Sequence, residues 1–462
     1  MKSDRVISSR RNFLRSTAAA SAGLVMGCGP SGGEGGRPAT AKRPNIVLIM
    51  ADDLGYECLG CYGGASYKTP RLDSLADAGI RFNHAYAQPL CTPTRLQIMT
   101  GAYNFRNWQA FGIMPPDETT FGHMMGTAGY RTCISGKWQL YSYNPPGFEP
   151  EWRGKGMHPE DAGFDEYFLW HSLHTEDKGS RYANPVVLDN GELRTYDGKY
   201  GPEVYTGYIN DFMERQASAG EPFFVYYPMA LPHGPFNPTP HSGVWAEGDR
   251  LERDRKYYAD MVEYMDYTIG RIVDKVEELG ISENTLILYY SDNGTPREIE
   301  SRLGDKVIRG GKGNTTDAGT RVPLIASWKG VIPEGRVNDD LIDSTDFLPT
   351  ILEATGADAL PDMTLDGRSF LPQLKGESGD PRDWVMFHYD PLPGHGKERY
   401  KLVRFARDKR YKLYEETYEE KERLFDIPND ELEEHPIFPV HDTPDSAVAR
   451  EKLRAVLETM HA

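Results

Sequence analysis

Four short stretches place reactive side chains where chemistry could gather. In residues 88–101, QPLCTPTRLQIMTG, Cys91 lies between Pro89 and Pro93 and four residues ahead of Arg95. Neither proline can donate a backbone hydrogen bond and each restricts the residue before it, so the thiol is expected on a stiff turn that leads into a short helix. Asp52 and Asp53 follow one apolar run, and Asp292 and Asn293 follow another. Two such clusters offer the hard oxygen ligands that Ca²⁺ or Mg²⁺ prefers over softer metals. A divalent ion would also relieve the repulsion among three gathered carboxylates. Arg95, Lys137, His233 and Lys312 add positive or protonatable groups, and Lys312 sits in a glycine-rich loop, RGGKGNTTDAGTRVP, whose backbone can approach a ligand closely. Together they could hold a tetrahedral oxyanion such as sulfate or phosphate.

The elements that must position these groups are legible as continuous apolar runs. Residues 45–50, 131–135, 223–227 and 285–290 each stop at a polar cluster: Asp52-Asp53, Gly136-Lys137-Trp138, Pro232-His233 and Asp292-Asn293-Gly294. Runs of this kind suit strands buried on both faces of a parallel sheet covered by helices. Helices are expected at 71–79, with Gly79 as the stop, and at 257–279, where Met261, Met265, Ile269, Ile272 and Val276 form an apolar stripe. Ligands of an open α/β sheet collect at the carboxyl ends of its strands, so the four clusters should converge on one crevice. After Pro381 the pattern changes to short runs with alternating or charged faces, DWVMFHYDP, KLVRFARDKRYKLYE and KERLFDI, followed by a terminal helix at 447–461. The expected architecture is α/β, a large mixed, mostly parallel sheet flanked by helices over residues 44–380, with a smaller antiparallel-sheet subdomain over 381–462.

Composition narrows the function. The 462 residues carry 39% hydrophobic content and a formal net charge of -17, which opposes a broad nucleic-acid or anionic-membrane surface. At the N-terminus, SRRNFLR precedes a weakly apolar, uncharged stretch over 16–27, the pattern of an export signal read by the twin-arginine translocase. It ends in Val25-Met26-Gly27-Cys28, similar to a bacterial lipobox, so acylation of Cys28 would be the only membrane attachment. Residues 28–43 read as a flexible tether, and the body is expected in the periplasm or on the cell surface. Cys58, Cys61, Cys91 and Cys133 are too few for a disulfide framework in a chain of this size. Cys58-Leu-Gly-Cys61 has the spacing of a redox or zinc pair but lacks a second pair or nearby histidines, which favours two structural thiols or a local disulfide.

Cys91-Thr92-Pro93-Thr94-Arg95, followed by Met99-Thr100-Gly101, resembles the signature of the formylglycine-dependent sulfatases, within the alkaline phosphatase superfamily. The likeness extends over most of the chain through PNIVLIMADDLGY, GKW at 136–138, PHGPF at 232–236, SDNG at 291–294, and GGKG leading to GTRVPLIASW. The resemblance implies hydrolysis of sulfate esters. It implies that a formylglycine-generating enzyme oxidises Cys91 to 3-oxoalanine, whose hydrate attacks sulfur, and that Asp52, Asp53, Asp292, Asn293 and the modified residue 91 hold Ca²⁺. By the same likeness Asp292 accepts the proton of the attacking hydroxyl, His233 and Lys312 protonate the departing alcohol, and Lys137 and Arg95 neutralise the sulfuryl oxygens and anchor residue 91.

One position departs from the family pattern. Where GKWH is common, this chain has Gln139 after Trp138, and an amide cannot act as a base. Gln139 is therefore expected to contact the sulfate while Asp52, His171 or His174 takes the proton; Thr94 is a milder departure. The expected substrate is a sulfated carbohydrate, and the segments at 167–182 and 387–400 combine aromatic, histidine and basic residues suited to sugars or to packing between the two domains. The alternative chemistries are a phosphate or phosphonate ester hydrolase of the same superfamily and a binding module with an unmodified Cys91.

Overall fold

The computed structural model describes residues 43–461 except 144–146, 148–149, 362, 392–401 and 418–419. The expected export signal, Cys28, nearly all of the tether and most of 387–400 lie outside the described residues. In chain order the strands are β1 (Asn45–Ala51), β2 (Ile80–Tyr86), β3 (Arg131–Lys137), β4 (Glu166–Trp170), β5 (Val186–Asp189), β6 (Glu192–Thr195), β7 (Phe223–Pro228) and β8 (Thr285–Ser291). They continue with β9 (Glu300–Leu303), β10 (Lys306–Arg309), β11 (Arg321–Ser327), β12 (Arg336–Asp343), β13 (Val385–Tyr389), β14 (Val403–Arg407), β15 (Tyr411–Tyr414) and β16 (Arg423–Asp426).

The four apolar runs became β1, β3, β7 and β8, and they are neighbours. The main sheet has ten strands in the order β12-β2-β11-β8-β1-β7-β3-β4-β5-β6. Parallel pairing links β8 to β1, β1 to β7, β7 to β3 and β3 to β4. Near one edge β11 runs antiparallel between β8 and β2, and near the other β5 runs antiparallel to β4 and β6. The sheet is therefore mixed and mostly parallel, as expected.

Alternation along β1 explains why its run is apolar throughout. Ile46, Leu48 and Met50 enter a core that includes Phe347, Leu348 and Ile351 of the helix Phe347–Thr355. Val47, Ile49 and Ala51 enter a second core with Met261, Met265, Ile269, Ile272 and Val276 of the helix Tyr257–Glu278. Both faces are covered, so both registers must be hydrophobic.

The helix expected at 71–79 spans Pro70–Asp77. The terminal helix begins earlier than expected, at Pro444, because Thr443 caps it and proline suits the first helical turn. The separate C-terminal sheet is antiparallel, in the order β13-β14-β15-β16. Leu413 and Leu424 of this sheet pack with Leu453 and Val456 of the terminal helix Pro444–Glu458. At its approach to the main body, buried Arg382 donates from Nε to both Asp346 oxygens at 2.8 and 2.7 Å and from Nη1 to Tyr103 Oη at 2.9 Å. Cys58, Cys61, Cys91 and Cys133 are all free thiols, so the local disulfide is not formed. Among the described residues no helix is long and apolar enough to cross a membrane.

Candidate active site

The strand ends of β1, β7 and β8 and the Lys312 loop are fastened to one another by backbone hydrogen bonds. Asp52 N–H donates to Leu231 O at 2.9 Å, Asp292 N–H to Ala51 O at 3.1 Å, Leu54 N–H to Asn293 O at 3.1 Å and Lys312 N–H to Thr295 O at 2.9 Å. A Cβ at Gly294 would lie 1.9 Å from Ala318 O, so only glycine lets the loop after β8 approach the chain after Lys312. Side chains from four distant stretches are thereby held side by side.

Cys91 is the first residue of the helix Cys91–Thr100, which is buried at every position and ends at Gly101 in the left-handed region. No side chain caps its start, so free N–H groups and the positive end of the helix dipole accompany residue 91. Thr94, the mild departure, has a structural use: its hydroxyl donates to Asp292 O at 2.6 Å and accepts from Gln88 N–H at 3.0 Å. It ties the turn that carries Cys91 to the acidic loop after β8.

Around Cys91 the charges are paired closely. Lys137 Nζ lies 2.9 and 2.8 Å from the two oxygens of Asp52. Lys312 Nζ lies 2.5 Å from Asp53 Oδ2, and Asn293 Nδ2 donates to Asp53 Oδ1 at 2.9 Å. Asp292 Oδ1 accepts the Asp53 N–H at 3.0 Å, while its Oδ2 stands 3.7 Å from Arg95 Nε. Arg95 Nη1 donates to Lys137 O at 2.9 Å. Burial raises all three carboxylates, but Lys137, Arg95 and Arg181 bring Asp52 below the usual range, and Lys312 and Lys137 do the same for Asp53. Asp292 remains well above it, because burial and the neighbouring Asp52 outweigh Lys137 and Arg95. Burial likewise pushes the Cys91 thiol up, so it is a poor source of thiolate.

His233 sits in the loop after β7, whose Leu231-Pro232 and Gly234-Pro235 bonds are cis. Its Nδ1 faces Gly234 O at 2.5 Å and therefore carries the proton, leaving Nε2 to accept from Lys312 Nζ at 3.1 Å. Burial lowers His233 to about 3, so the imidazole is neutral, while Asp53 and other anions hold Lys312 charged by raising it above an ordinary lysine.

Two adjoining cavities open on this cluster. One, of about 740 Å³, is lined by Cys91, Gln139, His171, His233 and Lys312 among others. The second, of about 510 Å³, brings Asp53, His233 and Lys312 together with Tyr389, at the end of β13. Lys137 and Arg95 are buried and line neither cavity. His174 is bonded to Ser142 Oγ at 2.9 Å and does not line them either. Gln139 N–H donates to His171 O at 3.0 Å, and Gln139 Oε1 and both His171 ring nitrogens lack hydrogen-bond partners.

Two contributions escaped the sequence. Arg181 Nη1 reaches within 3.7 Å of Asp52 Oδ2, and its guanidinium lies 3.9 Å from the Trp170 ring centroid. The C-terminal sheet braces the Lys312 loop: Arg407 of β14 pairs with Asp317, and Lys412 of β15 donates to Thr315 O and pairs with Glu433. Arg181 belongs to the segment 167–182 read as suited to sugars, but its approach to Asp52 and Trp170, like the bracing by Arg407 and Lys412, is revealed only by tertiary contact.

Asp292 Oδ2 and Asn293 Oδ1 are buried without a hydrogen-bond partner. Ligand atoms of Asp52, Cys91 and Asp292 lie within 4.8 Å of one another. Unpaired oxygens in a buried acidic cluster fit a hard divalent cation.

Comparison with known proteins agrees with this geometry. Residues 44–357 match the sulfatase family, and residues 312–462 match the C-terminal region of N-sulphoglucosamine sulphohydrolase. The chain is 34% identical to human arylsulfatase A over 387 residues, covering 76% of this chain and 71% of that protein. It is 32% identical to N-acetylgalactosamine-6-sulfatase of Canis lupus familiaris over 385 residues, covering 77% and 70%. The crystal structure of Ps i-CgsB with k-i-k-neocarrahexaose superposes with a TM-score of 0.70 at 25% identity, covering 90% of this chain and 93% of that one. The chain belongs to the sulfatase family and is a sulfuric ester hydrolase.

Proposed function

We propose that this enzyme removes sulfate from a sulfated carbohydrate, using residue 91 as the nucleophile after its oxidation to formylglycine. The observation that carries the reading is Cys91 at an uncapped helix N-terminus, facing a cavity with His233 and Lys312 and flanked by Asp52 and Asp292. A thiol raised by burial is unsuited to act as a thiolate, which supports conversion to the aldehyde, whose hydrate supplies a hydroxyl nucleophile. Cys91 is only 2% exposed at the wall of the cavity in the folded protein, so a formylglycine-generating enzyme would act before folding is complete. Export by the twin-arginine translocase and a lipid anchor at Cys28 remain part of the same reading.

Asp52, Asp53, Asp292 and Asn293, with residue 91, would hold Ca²⁺. That ion supplies Lewis-acid polarisation and favours an ionised nucleophile. The protein's own groups do the rest. Lys137 fixes Asp52 with two hydrogen bonds, and Arg95 holds the β3 end through Lys137 O, so the acidic loops keep their positions as charge builds. Asp292, whose carboxylate lies within 4.8 Å of the residue 91 side chain, accepts the proton of the attacking hydroxyl. Lys312, charged and in contact with His233, gives a proton to the alcohol oxygen as its bond to sulfur breaks. Gln139 contacts the sulfate. His171, neutral because burial lowers it and unpartnered at both nitrogens, takes the proton that the family's missing histidine would have taken; a bound anion beside it stabilises the imidazolium.

The test is release of inorganic sulfate from defined sulfated mono- and oligosaccharides. Turnover of sugar sulfates that Cys91→Ala abolishes is expected; activity confined to small aryl or alkyl sulfates contradicts the carbohydrate assignment, and preferential release of phosphate from matched phosphate esters contradicts the reaction.

A further inference from the structure

We infer that the cavity beside residue 91 contains a second anion-binding subsite, formed by Lys178, Arg181 and Arg253, which takes a carboxylate or sulfate on the same substrate molecule as the ester being cleaved. The inference rests on the sulfate-ester reading above and names the substrate class as dianionic.

The chain as a whole carries -17, yet among the described residues no aspartate or glutamate lines the 740 Å³ cavity, whereas Lys178, Arg181, Arg253 and Lys312 do. The cations of the reacting centre are matched by carboxylates: Lys137 with Asp52, Lys312 with Asp53 and Arg95 with Asp292. The other three are in surplus. Among the described residues neither Lys178 nor Arg253 lies within ion-pair distance of a carboxylate. Arg181 is buried, and among the described residues its only ion-pair partner is Asp52, at 3.7 Å and already clasped by Lys137. Its Nη1 is buried without a hydrogen-bond partner.

A buried guanidinium with an unused donor is costly unless a ligand satisfies it. Trp170 organises the surplus, with Arg181 against its ring at 3.9 Å and Lys178 Nζ 6.0 Å from its centroid. A ring already engaged by a guanidinium is not free to stack on a sugar there, so recognition in this part of the cavity is ionic. Burial, and then repulsion from Arg181 and Lys137, lowers Lys178, the response of cations gathered without their counter-ion. A sulfate monoester brings one negative charge, and a second anion on the same molecule offsets a further one of the three surplus cations.

Three probes sharing one scissile sulfate decide the matter: a monosulfated hexose, the same hexose with a second sulfate, and the same sulfated hexose linked to a hexuronate. Titration calorimetry on the Cys91→Ala protein measures binding whether or not turnover occurs, and kcat/KM on the parent enzyme measures use. One or both dianionic probes are expected to bind and turn over at least roughly tenfold better than the monosulfated one, as charge-assisted hydrogen bonds allow. Lys178→Gln and Arg253→Gln are each expected to reduce that ratio several-fold, mainly through Kd and KM. Which dianion is favoured assigns the subsite to sulfate or carboxylate. Equal affinity for all three probes, or a ratio indifferent to both substitutions, overturns the inference. Discrimination in binding without turnover of any probe instead contradicts the sulfatase reading and leaves the subsite standing.

Discussion

Replacing Lys312 by methionine separates proton delivery from simple loss of charge. Lys312 Nζ lies 2.5 Å from Asp53 Oδ2 and 3.1 Å from His233 Nε2. At that separation the gross attraction to Asp53 is about 7 kcal/mol for an effective dielectric of about 20. Asp53 keeps the Asn293 hydrogen bond at 2.9 Å, so the net loss of stability is expected at the lower end of the range for breaking a buried pair, about 3 kcal/mol. Catalysis should suffer by an amount that depends on the leaving group. A sugar alkoxide needs a proton as the S–O bond breaks, and losing a general acid costs about 10²- to 10⁴-fold, or roughly 3 to 5 kcal/mol of barrier. A nitrophenolate leaves without one and should lose much less. The assay compares kcat/KM for a sugar sulfate and nitrophenyl sulfate, corrected for folded fraction. Equal losses on the two substrates would refute the assignment of Lys312 as the acid.

Other outcomes follow from the same geometry. His171→Asn is expected to lower steady-state kcat by about 10²-fold while sparing the first-turnover burst, and Gln139→His should recover part of the loss; stopped-flow measurement showing neither effect removes His171 from the second step. Arg382→Met leaves Asp346 buried and unpaired beside Tyr103, so denaturant unfolding should register a loss of about 3 to 5 kcal/mol. Burial lifts Asp266 to about 6 although it accepts the Leu72 and Arg71 N–H groups. A folded value above the unfolded one means stability present at low pH and lost as pH rises through about 6. Asp266→Asn should therefore gain on the parent by up to about 3 kcal/mol between about pH 4 and 7; a flat difference would place the ionised carboxylate in a better-solvated setting.

The sheet was readable because its central strands are covered on both faces. β1, β7 and β8 announce themselves as apolar runs and β3 as a short, mixed one around Cys133 and Ile134, and their polar ends had to meet once the strands were parallel neighbours. β2, with Arg81, Asn83 and His84 among its seven residues, is half-buried at alternate positions and gave no such signal. The site was legible where residues follow a strand or stand in a stiff motif, as Cys91, Asp52, Asp292 and Lys312 do. Arg181 was not, since what gives it meaning is a tryptophan and an aspartate brought to it by folding. The bracing of the Lys312 loop by Arg407 and Lys412 was hidden for the same reason. Thr94, read as a deviation, proved to be a tether to Asp292 O.

The central claim concerns the chemical state of one side chain, and the mass of the peptide containing residue 91, from enzyme isolated from its producing cells and active on a sulfate ester, tests it most directly. The account predicts a peptide lighter by the exchange of a CH₂SH group for CHO and reactive toward carbonyl reagents. Fully active enzyme whose residue 91 is an intact thiol would contradict it.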